Sequence, residues 1–292
     1  MRTVGQEILL YLVFFAVLVV LIVDSIGGFF HQAWAQHIVF DLLKVFLPLI
    51  LLVGHAAYTL SLPRGLGFIL WLCLGGLAAE IIGLRTGILF GGFYHYLPES
   101  RMIFSQVPLF DQRFFLWGVP APVILYWAVF IYGGYSISNS FLAWRGAEKP
   151  SYRNKNYSLL AKLVTLDAWI VLGIDLVMDP ILVWHGNWQW EKPGIYFGVP
   201  GGNFIGWFMV AACLTGAFRI FEYKFPYNLE LRNRLVILLP ILCLGALFIL
   251  AVALALNIGL YPLIPVAGFA ILPIILLNFY AWSRSRHTMK TP

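Results

Sequence analysis

The sequence predicts an all-α protein, a polytopic transmembrane helix bundle of about eight spans with both termini cytoplasmic. Three observations predict it. First, 61% of the 292 residues are apolar or aromatic and only 11% are charged, with a mean hydropathy of +0.85. An average soluble domain is about 25% charged and about 45–50% apolar, and a globule with so few charges would expose large apolar patches to water. Second, apolar runs of about 20 residues, the length that crosses a bilayer, recur along the whole chain. Third, the basic residues concentrate in alternating connections, as cytoplasmic loops do. This composition excludes a soluble enzyme with a polar surface, a disordered protein and a disulfide-stapled secreted module.

The first span, about 6–24, follows a single Arg2 and has no small-residue cleavage site near its end, so it reads as a retained helix rather than a signal peptide. The second covers about 38–60. The third, about 67–85, carries Glu80 near its end, followed by Ile-Ile-Gly83-Leu-Arg85-Thr86-Gly87. The fourth covers about 116–137. The fifth, about 158–183, carries three acids, Asp167, Asp175 and Asp179. The sixth, about 203–223, follows Gly198-Val-Pro-Gly-Gly202, which reads as a turn because no phosphate-binding lysine accompanies it. The seventh, about 235–256, and the eighth, about 261–281, are joined by a short turn at Asn257–Gly259 and Pro262 and form a helical hairpin. Pro240, Pro265 and Pro273 are expected to kink them, which a bundle interior tolerates where neighbours re-satisfy the freed carbonyls.

Twelve of the nineteen basic residues (Arg2, Arg64, Arg145, Lys149, Arg153, Lys155, Lys224, Arg232, Arg234, Arg284, Arg286 and Lys290) fall in one set of alternating loops and termini. Arg85, Arg101, Arg113 and Lys192 fall in the opposite set, and Lys44, Lys162 and Arg219 lie within spans. The excess marks the cytoplasmic side. It also accounts for the net charge of +6, so no nucleic-acid partner is expected. Cys73, Cys213 and Cys243 sit in apolar runs and read as small core residues. The whole chain, 1–292, reads as one integral membrane domain, and the basic stretch 142–157 is the best candidate for a hinge between two halves.

On the other side, residues 86–115 and 184–202 carry few charges and many aromatics and glycines, as in Phe90-Gly91-Gly92-Phe93-Tyr94-His95-Tyr96 and Trp188-Gln189-Trp190. Two readings stay open: a lid over a membrane cavity, or an interfacial aromatic belt.

Chemistry is flagged by acids inside spans. An Asp at the centre of a membrane helix costs about 2.5–3.5 kcal/mol to insert, so the three acids of the fifth span must be paired, protonated or facing a wet cavity. Asp175 and Asp179 are four apart and share a helix face, with Asp167 two turns below and somewhat rotated. Pro180 is expected to disturb the helix just after them. Two carboxyls that close in a poor dielectric do not both ionise readily, so one is expected to stay protonated, as a general acid must be. The third and fifth spans run outward and the sixth inward, which brings Glu80, Asp175, Asp179, Asn203 and Trp207 to one layer in the outer half. The competing reading is a buried hydrogen-bond network that fixes helix packing.

Other chemistries fail on inventory. No two histidines are three or four apart, and HExxH, GxSxG, Walker and GxGxxG motifs are absent. No metal is expected. What remains is acid chemistry in an aromatic, lipid-facing pocket: protonation of an isolated alkene and capture of the tertiary carbocation by water. Aromatic faces stabilise such a cation, with Trp184, Trp188, Trp190, Tyr94, Tyr96 and Trp207 as candidates. A proton-coupled lipid or small-molecule transporter using the same carboxylates as a relay is the alternative, and a non-catalytic lipid-binding membrane scaffold a third.

At these residues the sequence resembles a known family. The runs Asp175-Leu-Val-Met-Asp179-Pro180, Trp188-Gln-Trp190, Tyr196-Phe-Gly198-Val-Pro200 and Asn203-Phe-Ile-Gly206-Trp207 are similar to the integral-membrane carotenoid 1,2-hydratases, of the bisanhydrobacterioruberin hydratase type. So are Glu80-Ile-Ile-Gly83-Leu-Arg-Thr86-Gly87, Gly91, Tyr94, Tyr96 and Val119-Pro120 before Trp127. The resemblance covers about 75–225. It implies a cofactor-free hydratase of the prokaryotic cytoplasmic membrane. Such an enzyme adds water across the terminal 1,2 double bond of an acyclic end group on a lycopene-like, gamma-carotene-like or C50 carotenoid drawn from the bilayer. The product is a tertiary 1-hydroxy carotenoid, which pathway partners such as a glycosyltransferase can take up. The expected catalytic residues are Asp175 or Asp179 as acid, and Glu80 or the second Asp, with Asn203, positioning and deprotonating water. The expected substrate contacts are Tyr94, Tyr96, Trp184, Trp188, Trp190, Tyr196, Asn203, Trp207 and Asp167.

Overall fold

A computed structural model describes residues 4–29, 38–97, 115–227 and 233–285. Among them are eight helices: α1 (Val4–Phe29), α2 (Ile38–Leu60), α3 (Leu62–Thr86), α4 (Ala121–Arg145), α5 (Tyr157–Trp184), α6 (Gly201–Lys224), α7 (Arg234–Asn257) and α8 (Leu263–Arg284). Each apolar run of the sequence is a helix, so the protein is an all-α bundle. Six of the helices are long and apolar enough to cross a membrane. α5 carries Lys162, Asp167, Asp175 and Asp179 and is not among the six.

Local chemistry sets the helix ends. α3 and α4 start with proline in the first turn and stop at Gly87 and Gly146, both left-handed with φ of 67° and 61°. α5 and α7 start at Asn156 and Asn233, whose side chains accept from backbone N–H groups of the first turn. The fourth helix begins five residues later than the sequence suggests and runs on to Arg145. Residues 115–120 form instead a hairpin of β2 (Phe115–Leu116) and β3 (Val119–Pro120). Its two-residue turn, Trp117-Gly118, has positive φ at both positions, the backbone that matches strand twist. The extra C-terminal turns are polar yet buried: Ser138 and Ser140 hydroxyls donate to carbonyls of their own helix.

Two internal prolines are accommodated by side chains. Proline at i removes the N–H that would serve the carbonyl of i−4. Pro180 thus frees the Leu176 carbonyl, and the Tyr196 hydroxyl donates to it at 2.8 Å. α5 therefore continues past Pro180 to Trp184 rather than breaking. Pro240 frees the Val236 carbonyl, which lies 3.1 Å from His55 Nε2. A carbonyl only accepts, so Nε2 is the donor and Nδ1 accepts from the Tyr132 hydroxyl at 2.8 Å.

The helices pack into two large apolar clusters. One gathers α2, α3, α4 and α6, with Phe68, Leu72, Trp127 and Ile131 at its centre. The other gathers α4, α5, α7 and α8 around Ile170, Ile181, Ile241 and Ile271. The most extensive helix pairing is between α5 and α6. The basic stretch 142–157 is tied to the end of α6 by Tyr152 N–H to the Tyr223 carbonyl and by Lys149 to Glu222 at 3.2 Å.

The two aromatic connections meet each other. β1 (Tyr94–Tyr96) pairs antiparallel with β4 (Trp188–Trp190), Tyr94 opposite Trp190 and Tyr96 opposite Trp188. The part of the first connection at 98–114 lies outside the described residues.

Candidate active site

Glu80 sits in the last third of α3, 4% exposed. Three donors reach its carboxyl: Tyr94 Oη at 2.5 Å and Tyr96 Oη at 2.7 Å on Oε2, and Trp127 Nε1 at 2.7 Å on Oε1. Burial first, and then the Glu80 carboxylate beside them, raise the Tyr94 and Tyr96 phenols above their ordinary value, so both stay protonated as donors. Two glycines of α3 make this possible. A Cβ at Gly76 would stand 2.5 Å from Trp127 Cγ, and one at Gly83 would stand 2.4 Å from Phe90 Cδ2 and 3.0 Å from the Tyr94 hydroxyl.

Asp175 and Asp179 share one face of α5, as their spacing requires, and are both buried. Both carboxyls reach one amide nitrogen, Nδ2 of Asn203, and so lie side by side. Asn203, in the first turn of α6, donates from Nδ2 to Asp179 Oδ2 at 2.6 Å and to Asp175 Oδ2 at 3.2 Å. No lysine or arginine contacts the pair among the described residues. Two carboxyls brought to one amide nitrogen in a poor dielectric, without a fixed counter-ion, do not both ionise readily. Asn203 is placed by close backbone packing: Gly202 faces Gly91, where a Cβ would stand 2.6 Å from the Gly91 Cα, and Gly206 faces the Leu89 carbonyl.

The β1–β4 ribbon roofs these groups. Alternation along a strand turns every second side chain to one face, and here Tyr94, Tyr96, Trp188 and Trp190 face inward while His95 and Gln189 are exposed. Trp190 Nε1 donates to the Phe90 carbonyl at 3.0 Å and Glu191 N–H to the Phe93 carbonyl, pinning the roof. Beneath it is a cavity of about 30 Å³ lined by Glu80, Phe90, Tyr94, Tyr96, Val123, Asp179, Trp188, Trp190, Asn203 and Trp207. That is room for a water or two.

Residues 35–276 match the family of carotenoid biosynthesis proteins. The chain belongs to this family. Among characterised relatives, the bisanhydrobacterioruberin hydratase of Haloarcula japonica is 30% identical over 157 residues, which is 53% of this chain and 44% of that protein. The match therefore spans less than half the length of that relative. No solved structure matches the chain.

In this carotenoid biosynthesis protein, most of the residues singled out from sequence converge. Glu80, Tyr94, Tyr96, Asp179, Trp188, Trp190, Asn203 and Trp207 line the cavity, and Asp175 stands directly behind Asp179. Tyr196 lies alongside, bonded to the Leu176 carbonyl and packed edge-on against Phe204, and is not in the lining. Two others are elsewhere. Trp184, at the end of α5, is 54% exposed and rests on His185. Asp167 belongs to a separate buried cluster: Arg219 donates to it from Nε at 2.5 Å and from Nη2 at 2.8 Å, and Ser138 adds a hydroxyl. Arg219 also reaches Asn139 and lies over the Tyr135 ring. This aspartate is an ion-paired strut between α4, α5 and α6, not a group facing the cavity. Three residues of the site carried no chemical signal in the sequence: Phe90, Val123 and, above all, Trp127. Phe90 stood in the aromatic stretch and Trp127 beside a family-like run, but nothing in the neighbours of Trp127 announced the bond to Glu80.

Proposed function

We propose that this protein is a carotenoid hydratase that adds water across the terminal 1,2 double bond of an acyclic end group, giving a tertiary 1-hydroxy carotenoid without a cofactor. One observation carries the reading. Asp179, paired with Asp175 on Asn203, and a third carboxyl held by three donors face the same water-sized, aromatic-walled cavity. Membership of a carotenoid biosynthesis family and the name of the Haloarcula relative support it.

The chemistry follows from which groups face the cavity. Asp179 lines it and Asp175 does not, so Asp179 delivers the pair's one proton to C2, and both aspartates stay ionised until a proton comes back. The π bond breaks, C2–H forms, and positive charge develops at the tertiary C1. Trp207, Trp190 and the two tyrosine rings surround that position, and a desolvated cation over such faces gains up to about 2 kcal/mol or more. Glu80 completes the reaction. Trp127 can only donate, and with two phenols also donating, an ionised carboxylate at Glu80 has three partners and about one acceptor site left for water. It takes the proton of the water that bonds to C1, and that proton returns to the aspartate pair for the next cycle. The cavity is smaller than the end group, so entry displaces part of the roof, and Trp188, the least buried of its four inward rings, moves first. We assign the protein to a prokaryotic cytoplasmic membrane, with both termini cytoplasmic and the polyene remaining in the bilayer.

The test is a pigment chromatogram from a lycopene-accumulating host with and without the gene. The reading expects a new, more polar carotenoid heavier by one water, lost on Asp179→Asn. An unchanged pigment profile with the protein present in the membrane refutes it, and is the outcome a transporter or scaffold gives.

A further inference from the structure

We propose that Trp127 is the positioning residue of the water-capture step: it sets the rotation of the Glu80 carboxylate, so that its loss uncouples alkene protonation from hydration. This rests on the hydratase reading above. Tyr94 and Tyr96 both act on Oε2, and Trp127 is the donor to Oε1 among the described residues. Donors on one oxygen leave a carboxylate free to turn about that contact; a donor on the second oxygen fixes its plane. The indole is itself locked. It has no exposed surface. One face stacks on Trp207, a cavity wall, at 3.6 Å and 11°. Its base fills the space left by Gly76, one turn before Glu80 on α3, where a Cβ would stand 2.5 Å from Cγ and 2.6 Å from Cβ of the tryptophan. Trp127 thereby joins the base on α3 to the aromatic wall on α6 through α4.

The two halves of hydration can be read apart. When C2 is protonated, the cation at C1 has two fates. Water bonds to C1 and gives its proton to Glu80, or a proton leaves C2 for the aspartate pair and the alkene is restored. In D₂O the carboxyls carry deuterons, so whenever the original C2 hydrogen leaves in place of the delivered deuteron, the restored alkene keeps deuterium at C2. A misplaced Glu80 slows only the first fate.

The experiment uses the purified full chain in liposomes in D₂O, with lycopene and, separately, bisanhydrobacterioruberin as probes. Trp127→Phe keeps the ring and removes the N–H. Adduct formation should fall about tenfold or more, the scale of one lost hydrogen bond to a charged group. Deuterium in the recovered carotenoid should hold or rise. Gly76→Ala, which pushes the same indole without changing it, should give the same split. Wild-type adduct rates in Trp127→Phe overturn the proposal, as do parallel falls of adduct and deuterium in a variant that stays folded. If neither variant accumulates, Trp127 is a packing residue and the proposal fails. A wild-type protein that forms no adduct from either probe counts against the hydratase reading itself, and that result is read on a different sample.

Discussion

At the scale of single residues, the site is a contest between charge and burial, settled differently at each acid. Asp167 is neutralised by Arg219. Glu80 is solvated by three protein donors in place of water. Among the described residues Asp175 and Asp179 are met by Asn203 and by no cation, and two carboxyls that close in a poor dielectric do not both ionise readily. Asp179→Asn and Asp175→Asn should each abolish hydroxycarotenoid formation at unchanged protein level, and product undiminished in both, measured by chromatography of cell extracts, refutes the assignment. Tyr94→Phe or Tyr96→Phe removes one donor from Glu80 and should slow turnover by about tenfold. An acid inside an apolar run is conspicuous in a sequence, so Asp175, Asp179 and Glu80 were legible there. Which acid would be neutralised was not, because Asp167 and Arg219 are 52 residues apart on different helices. The same distance hid Trp127, whose partner is 47 residues away.

At the scale of elements, polar struts hold the helices in register. The buried Asp167–Arg219 pair ties α5 to α6, and breaking such a pair from one side costs about 3–5 kcal/mol because the other charge is left uncompensated. Arg219→Met should therefore lower the midpoint of thermal unfolding in detergent markedly. The double change Arg219→Met with Asp167→Leu should recover most of it and keep hydratase activity, since neither residue faces the cavity. A double variant as unstable as the single would contradict the strut role. Tyr196→Phe leaves the carbonyl freed by Pro180 unpaired and should cost about 1–3 kcal/mol, seen as a lower unfolding midpoint. The helices were legible because twenty-residue apolar runs admit little else in a bilayer. The ribbon was not, although Tyr94-His95-Tyr96 and Trp188-Gln189-Trp190 both alternate. Three residues are too short for periodicity to separate a strand from a loop, and the pairing joins segments more than ninety residues apart. The hairpin at 115–120 displaced the start of α4 for the same reason: its turn depends on Trp117 adopting a backbone that glycine favours.

At the scale of the molecule, three helix ends, from α3, α5 and α6, deliver acids and an amide to one level, and a ribbon made from two connections closes over them. Outward-running α3 and α5 and inward-running α6 predict this convergence from topology alone, and the described residues meet as that topology requires. The orientation itself is an expectation of charge bias, and reporter fusions at both ends should report the cytoplasmic side. Acid-catalysed hydration differs from oxidative hydroxylation in where the new atoms of the product come from. The most direct measurement is mass spectrometry of hydroxycarotenoid made by the purified protein from lycopene in ¹⁸O-labelled water, and in D₂O. Acid protonation and water capture predict a tertiary hydroxyl carrying the solvent's oxygen and one deuterium on the adjacent carbon. A hydroxyl whose oxygen comes from dioxygen, or an adjacent carbon with no solvent deuterium, would contradict it.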